Sequence, residues 1–278
     1  MSQHLQDKVI IVTGAGNGFG KLIAERCAAA GAKLVGVDID ADGLASVFDG
    51  ITAAGHIGLG MPGDVTDLAQ MRAVADRAVA EFGAIDVIVN NAGVMPLAFF
   101  ADHARAADRW HRAIDINIKG VVNGISAVYD QMITQGRGQV VNISSIYGNA
   151  GIAGSGVYSA TKAAVNAISD SLRAETKGKI KVTTVRPTGV AGTNLASWIV
   201  NGEAIFGMVG GRATDYAAHS KAMIKGTLPA ELTDPDSIEY WLITPDELAD
   251  AVVHVIDQPW GISLSDVTVR ASGEDYLY

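Results

Sequence analysis

Short, continuously apolar runs recur along the chain, separated by longer stretches with helical spacing. The runs Val9–Val12, Lys33–Val37, Gly58–Met61, Val87–Val89, Gln139–Ile143, Lys181–Val185 and Val267–Val269 mostly lack polar alternation. A strand with water on one face alternates, whereas a strand covered by helices on both faces does not. These runs therefore read as strands of a buried parallel sheet. Between them, Gly18–Ala30, Ala41–Ala53, Leu68–Phe82, Ala107–Gln135, Val157–Lys177 and Pro245–Asp257 carry helical patterns. Thr66 or Asp67 is placed to cap the third. Thr244, followed by Pro245, Asp246 and Glu247, reads as a cap with proline at the first helical position and acids in the first turn.

This alternation predicts a doubly wound α/β fold, with a central parallel sheet of about seven strands and helices on both faces, as one domain over 1–278. The pattern fails in one place. From Gly189 to Asp236 no βα unit is legible, and the segment holds Trp198, Phe206, Met208 and a Gly207–Gly211 cluster. A long irregular segment in an otherwise regular domain is usually a lid or a binding loop, so 189–240 is expected to cover a substrate.

Composition narrows the partners. Hydrophobic residues make up 49% and charged residues 18%, which is a core-building chain rather than a disordered one. With 21 Lys and Arg against 30 Asp and Glu, the net charge of −9 disfavours nucleic acid and anionic membrane surfaces. The one cysteine, Cys27, sits in an Ala-rich apolar stretch and reads as a small buried residue. No Cys/His spacing suggests a metal site. The first ten residues lack a secretory apolar core. The charge-free stretch 138–161 is too polar, with Gln139, Asn142, Ser144, Ser145 and Asn149, for a membrane span. A cytoplasmic protein is expected.

The first strand runs into Thr13-Gly14-Ala15-Gly16-Asn17-Gly18-Phe19-Gly20, after which a helix begins. Glycines allow a tight turn and close approach of a phosphate, and the helix start supplies free N–H groups and partial positive charge. The next strand ends at Asp38, about 20 residues on, where an acid is placed to bind the adenosine ribose hydroxyls. The same carboxylate would repel a 2′-phosphate, by roughly 4 kcal/mol at about 4 Å and an effective dielectric near 20. No Arg or Lys at Ala15, Gly16, Asn17, Ile39 or Asp40 offsets it, so NAD is expected over NADP. The bland alternative is that Asp38 only caps the following helix, a task open also to Asp40 or Asp42.

With these residues in view, the sequence resembles the short-chain dehydrogenase/reductase family over nearly its whole length. The turn Thr13–Gly20, with Gly14, Asn17, Gly18, Phe19 and Gly20, resembles that family's cofactor turn. Asp64 and Val65 resemble its adenine-side pair. Asn90-Asn91-Ala92-Gly93 resembles the segment that stabilises its central strand, and Asn117, Ser145, Tyr158 and Lys162 match its catalytic tetrad in order and spacing. The resemblance implies a Rossmann-type domain, a nicotinamide cofactor touching Asp38, Ile39, Asn91, Ala92, Gly93, Tyr158 and Lys162, and dimers or tetramers built through 107–135 and 157–177. It also implies that Lys162 holds the nicotinamide ribose and that Asn117 supports a proton-relaying water. After the sixth strand the family usually has Pro-Gly, whereas this chain has Pro187-Thr188-Gly189-Val190, and Thr188 restricts the backbone. Val190 keeps backbone groups for the carboxamide. Thr193 is the candidate cofactor hydroxyl, in a register offset by Ala191 and Gly192.

The chemistry also follows from the residue types. Tyr158 and Lys162 are four apart on a helical stretch and share a face. A nearby ammonium or oxidised nicotinamide favours the phenolate, so Tyr158 can take a proton from an alcohol or give one to a ketone. Ser145 can hydrogen-bond the substrate oxygen, with Ser144 as its competitor. Candidate pocket residues are Met95, Leu97, Ile146, Tyr147, Ile152, Trp198 and Phe206, mostly apolar, which points to a hydrophobic secondary alcohol or ketone. The bland reading makes Met95, Leu97 and Ile146 core and the lid aromatics a subunit contact. Two other functions are compatible with the fold. A 3-oxoacyl-carrier-protein reductase would need a basic patch and typically NADPH, against the charge and Asp38. A non-catalytic nucleotide sensor would be favoured by loss of tetrad residues, and none is lost.

Overall fold

The computed structural model describes residues 4–190, 192 and 194–276. In chain order it forms β1 (Val9–Thr13), α1 (Gly18–Ala29), β2 (Lys33–Asp38), α2 (Ala41–Ala53), β3 (Gly58–Pro62), α3 (Leu68–Phe82), β4 (Val87–Asn90), α4 (His103–Ile114), α5 (Gly120–Thr134), β5 (Gly138–Ile143), α6 (Gly156–Glu175), β6 (Ile180–Pro187), α7 (Phe206–Val209), α8 (Ala213–Lys225), α9 (Pro245–Ile256) and β7 (Asp266–Val269). Among the described residues seven strands form one sheet in the order β3-β2-β1-β4-β5-β6-β7. Every pairing is parallel, with Ile11 beside Val35 on one side and Ile88 on the other.

Burial on both faces explains the unbroken apolar runs. All residues of β1, β4 and β5 are buried. Ile10, Val12 and Val87 face a core built with Ile23, Leu44 and Val252, while Val9, Ile11 and Ile88 face a second core with Met71, Val128 and Met132. At about 25 cal/mol per Å² of apolar surface removed from water, these two layers are the main favourable term holding the fold. Asp67 takes the cap of α3, accepting the amides of Ala69 and Gln70 at 2.8 and 3.2 Å. Thr244 and Glu247 cap α9 reciprocally.

The expected helix 107–135 is interrupted. Asp115–Lys119 is a π-turn between α4 and α5, and Asn117 sits in it. Apolar periodicity does not report such a bulge, because one widened turn shifts the face without breaking the pattern. The irregular region begins with short 3₁₀ turns at Asn194–Trp198 and Gly202–Ile205 and continues into α7 and α8. It is anchored at its start, where the amides of Val200 and Asn201 donate to the Leu97 carbonyl at 3.0 and 3.1 Å. Helix α8 itself buries none of its residues. Among the described residues no helix is long and apolar enough to cross a membrane.

Candidate active site

A cavity of about 750 Å³ lies over the carboxyl ends of the strands, from Asp38 and Asp64 at one end to Tyr158, Lys162 and residues 194–199 at the other. At the first end, α1 opens on Asn17 with no side-chain cap bond and no acid in its first turn, so its leading amides and positive pole remain unspent. Gly18 has φ +52°, and a Cβ there would meet nothing within 4 Å, leaving a smooth concavity. Gly20 serves a different end: a Cβ there would collide with the Gly14 carbonyl, so it lets α1 pack against the turn. The turn is stapled to the end of β4. Asn91 donates through Nδ2 to the Thr13 carbonyl at 2.9 Å, and Thr13 Oγ1 accepts the amides of Asn91 and Ala92, each at 3.0 Å.

Asp38 accepts the amides of Gly16 at 2.8 Å and Asp40 at 2.9 Å, while Asp40 itself caps α2. Ile39 beside it is 69% exposed and lines the cavity. A free helix start, an acid at the end of β2 and an apolar shelf next to it fit a dinucleotide. The residues that would hold it are Gly14, Asn17, Gly18, Phe19, Asp38, Ile39, Asp64, Val65, Asn91, Ala92 and Gly93, all on the cavity wall. One feature here is not legible in spacing. Arg112 pairs with Asp64 at 2.9 Å across the cavity rim. Burial works to raise the Asp64 carboxyl, but hydrogen bonds from Thr66 and Arg112 outweigh it and hold the group below the usual carboxylate range.

At the other end the tetrad positions converge. Lys162 and Tyr158 are buried on α6, with the lysine nitrogen 5.9 Å from the tyrosine ring centre. Lys162 Nζ donates to the Ile143 carbonyl at 2.8 Å. Ser145 pairs with the Tyr158 phenol, whereas Ser144 is spent on the fold, donating to the Lys162 carbonyl at 3.1 Å. Asn117 is held by both faces of its amide. Oδ1 accepts the Val94 amide at 2.9 Å, and Nδ2 donates to the Val94 carbonyl and Thr161 Oγ1 at 2.9 and 3.0 Å. Asn117 and Lys162 flank one backbone position, since a Cβ on Gly93 would lie 3.3 Å from Asn117 Oδ1 and 3.5 Å from Lys162 Nζ.

The electrostatics differ from the expectation in one respect. Burial pushes the Tyr158 phenol up to about 12 against the lowering effect of Ser145, and burial pushes Lys162 down to about 8. In the protein alone, burial sets the direction of both shifts.

The substrate-side expectations divide. Met95, Tyr147 and Trp198 line the cavity. Leu97, Ile146 and Ile152 do not. They are buried in the cluster behind the wall, where the Leu97 carbonyl accepts the amides of Val200 and Asn201. Phe206 does not line the cavity either: it lies in a separate shallow groove with Ile205, Tyr216 and Ile224. Hydrophobicity marks all four alike, and only packing decides which side of a wall each faces.

Thr188, the departure from Pro-Gly, is accommodated without positive φ. Its amide and hydroxyl donate to the Val269 carbonyl at 3.2 and 3.3 Å, and its hydroxyl also meets Glu274. Gly189 is constrained by closeness, because a Cβ there would lie 2.5 Å from both Leu242 and Tyr276. Pro187, Thr188, Gly189 and Val190 all line the cavity, while Thr193 lies outside the described residues. Tyr216, on α8, and Leu242 and Tyr276, in irregular segments, also line it, and no motif in the sequence singles them out.

Comparison with known proteins agrees with this geometry. The chain is 39% identical to a 3-alpha-(or 20-beta)-hydroxysteroid dehydrogenase of Mycobacterium tuberculosis, over 81% of this chain and 84% of that one. It superposes with a TM-score of 0.77 and 25% identity on a 7 alpha-hydroxysteroid dehydrogenase complexed with NADH and 7-oxo glycochenodeoxycholic acid, covering 98% and 96% of the two chains. A metagenomic short-chain oxidoreductase in complex with NADP superposes with a TM-score of 0.71 and 26% identity, over 96% and 98%. Residues 8–203 match the short chain dehydrogenase family model. The chain is therefore an oxidoreductase of the short-chain dehydrogenase/reductase family.

Proposed function

We propose that this chain interconverts a hydrophobic secondary alcohol and its ketone with NAD(H), and that Tyr158 is the general acid/base. The observation that carries this reading is the convergence of Tyr158, Ser145 and Lys162 at the base of a cavity with apolar walls of Met95, Trp198, Ile199 and Leu242. Hydroxysteroid dehydrogenases among the relatives support a bulky, apolar substrate.

The nicotinamide, when bound, supplies or accepts the hydride and in its oxidised form brings a positive charge. Tyr158 and Ser145 together bind the reacting oxygen. For reduction, Tyr158 gives its proton to the forming alkoxide, a step favoured by a phenol held protonated at neutral pH. For oxidation, the same oxygen takes the alcohol proton, which requires cationic charge beside it. Lys162 orients the site from below, tied to the end of β5 by the Ile143 carbonyl. Asn117, fixed on Val94 and Thr161, keeps the π-turn against that lysine. Asp38 accepts the ribose hydroxyls and disfavours a phosphate there.

The test is a spectrophotometric screen with NADH and NADPH over aliphatic, aryl and fused-ring ketones and the matching secondary alcohols. Turnover of fused-ring compounds with NADH is expected. Absence of turnover across the panel with either cofactor would remove this reading.

A further inference from the structure

Tyr147 has a hydroxyl that is buried and without a hydrogen-bond partner among the described residues. Buried phenol hydroxyls ordinarily find one, so an orphan on a cavity wall needs an explanation. Its ring packs edge-on against Tyr158, the centres 5.5 Å apart. Two more phenols, missed in the sequence, complete the surroundings: Tyr216 from α8 and Tyr276 from the C-terminal segment, their hydroxyls 3.3 Å apart. Burial first, then the neighbouring phenols of Tyr158 and Tyr216, raise Tyr147. Burial, then Tyr216 and Tyr147, raise Tyr276 well above the usual phenol range. Three protonated phenols therefore gather next to the reacting position.

The charges on the cavity wall sharpen the chemistry. Its cations, Lys162 and Arg112, are engaged with the Ile143 carbonyl and with Asp64. Among the described residues, a patch of neutral O–H donors set apart from these two engaged cations suits an uncharged oxygen better than a carboxylate. We infer that Tyr147, with the Tyr216–Tyr276 pair, forms a second polar subsite that binds a neutral oxygen, a hydroxyl or carbonyl, on a carbon other than the one that reacts. The substrate class is then a hydroxyketone, diol or diketone on an otherwise apolar frame. Tyr147 Oη is covered in this structure, so a ligand oxygen reaches it only when a neighbouring side chain shifts. Helix α8, which carries Tyr216, has no fully buried residue and is held through Tyr216 on Trp241 and Tyr276 and through His219 on Asp275, so those are the contacts that need to shift. The inference rests on the proposed ketone chemistry at Tyr158 and extends it.

The experiment compares matched ketones with and without a second oxygen. Cyclohexanone is set against its 2-, 3- and 4-hydroxy derivatives, and 2-decalone against a ring-hydroxylated 2-decalone, each with NADH. In the wild type at least one hydroxyketone is expected to exceed its parent in kcat/KM by about tenfold or more, mainly through KM. Tyr147→Phe is expected to reduce that ratio by roughly tenfold, in line with one lost hydrogen bond. Tyr276→Phe serves as an independent second variant, expected to lower the same ratio. Ratios near one in the wild type for every pair, or ratios unchanged in both variants, would overturn the subsite while leaving the ketone chemistry intact. A wild type inert toward all parents and derivatives would overturn both. Quenching of intrinsic fluorescence by the hydroxyketone, measured with NADH bound and weakened in both variants, gives a binding readout independent of turnover.

Discussion

The carboxylate of Asp38 holds the amide of Gly16 at 2.8 Å, so the acid at the end of β2 also fixes the turn that follows β1. One residue thus fixes the shape of that turn and, in the proposed function, also selects the ribose. A 2′-phosphate brought within about 4 Å would cost roughly 4 kcal/mol at an effective dielectric near 20. The wild type is therefore expected to favour NADH over NADPH by roughly 100-fold or more in kcat/KM. Asp38→Ala should narrow that preference and weaken NADH binding, and should lower stability by about 1 kcal/mol through the lost turn bond. Cofactor kinetics and urea unfolding on the same variant check both. A strong NADPH preference in the wild type would defeat the charge argument.

Tyr158 is 4% exposed and holds its hydroxyl beside Ser145. Tyr158→Phe removes one oxygen and keeps the ring that packs on Tyr147. Turnover is expected to fall by at least about 10³-fold, within the range for loss of a positioned proton donor. NADH binding, read by the fluorescence of the reduced ring, should stay within about threefold. Retained turnover would take the proton transfer away from this residue.

Lys162 gives a pH signature in stability. Its folded pKa of about 8 lies below the ordinary 10.5. Between those values the unfolded chain holds a proton that the native lysine has lost, so native stability rises with pH across that window. The penalty is fully present below about pH 8 and amounts to roughly 3 kcal/mol for a shift of this size. Lys162→Met has no such term. Its stability relative to the wild type should therefore decline by about that amount as pH is raised from 7.5 to 10.5, measured by urea unfolding without cofactor. Tyr158 works in the opposite sense, since its raised pKa removes stability only as pH passes 10. It is present in both proteins and cancels. A difference that stays flat with pH would show that Lys162 is not desolvated as the structure has it.

The sheet was legible in the sequence because its strands are buried on both faces, and β1, β4 and β5 carry that burial as unbroken apolar runs. The cofactor turn was legible because glycine, helix start and acid must fall at fixed spacings. The π-turn at Asp115–Lys119 was not, because hydrophobic periodicity tolerates one widened turn. Tyr216 and Tyr276 were not, because α8 has no fully buried face to mark and the C-terminal segment is irregular, so contacts distant in sequence decide which side chains meet the cavity. That the protein alone raises the Tyr158 phenol was not legible either. Sequence places Lys162 four residues away but does not say that both groups lose their water, and desolvation is the larger effect.

The lid gives a test in which sequence and structure predict different outcomes. From hydrophobicity, Trp198 and Phe206 are equivalent candidates for contacting substrate. In the structure Trp198 lines the cavity and is braced from outside by Arg109, 5.9 Å from its ring centre. Phe206 instead faces the outer groove with Ile224. Trp198→Ala removes a large apolar wall without exposing the anchor at Leu97, so bulkier ketones should gain relative to small ones, and small ketones should lose kcat/KM by about tenfold. That loss corresponds to giving up part of the 1.5–3 kcal/mol typical of a large buried apolar contact. Phe206→Ala should leave the size profile of the panel where it was, because its ring is outside the cavity. If both variants shifted the profile equally, Phe206 would have to swing inward when substrate binds, and the lid would close by a rotation of α7 rather than rest in place. If neither did, Trp198 would be a packing residue for Arg109, and the size limit would fall to Met95 and Leu242.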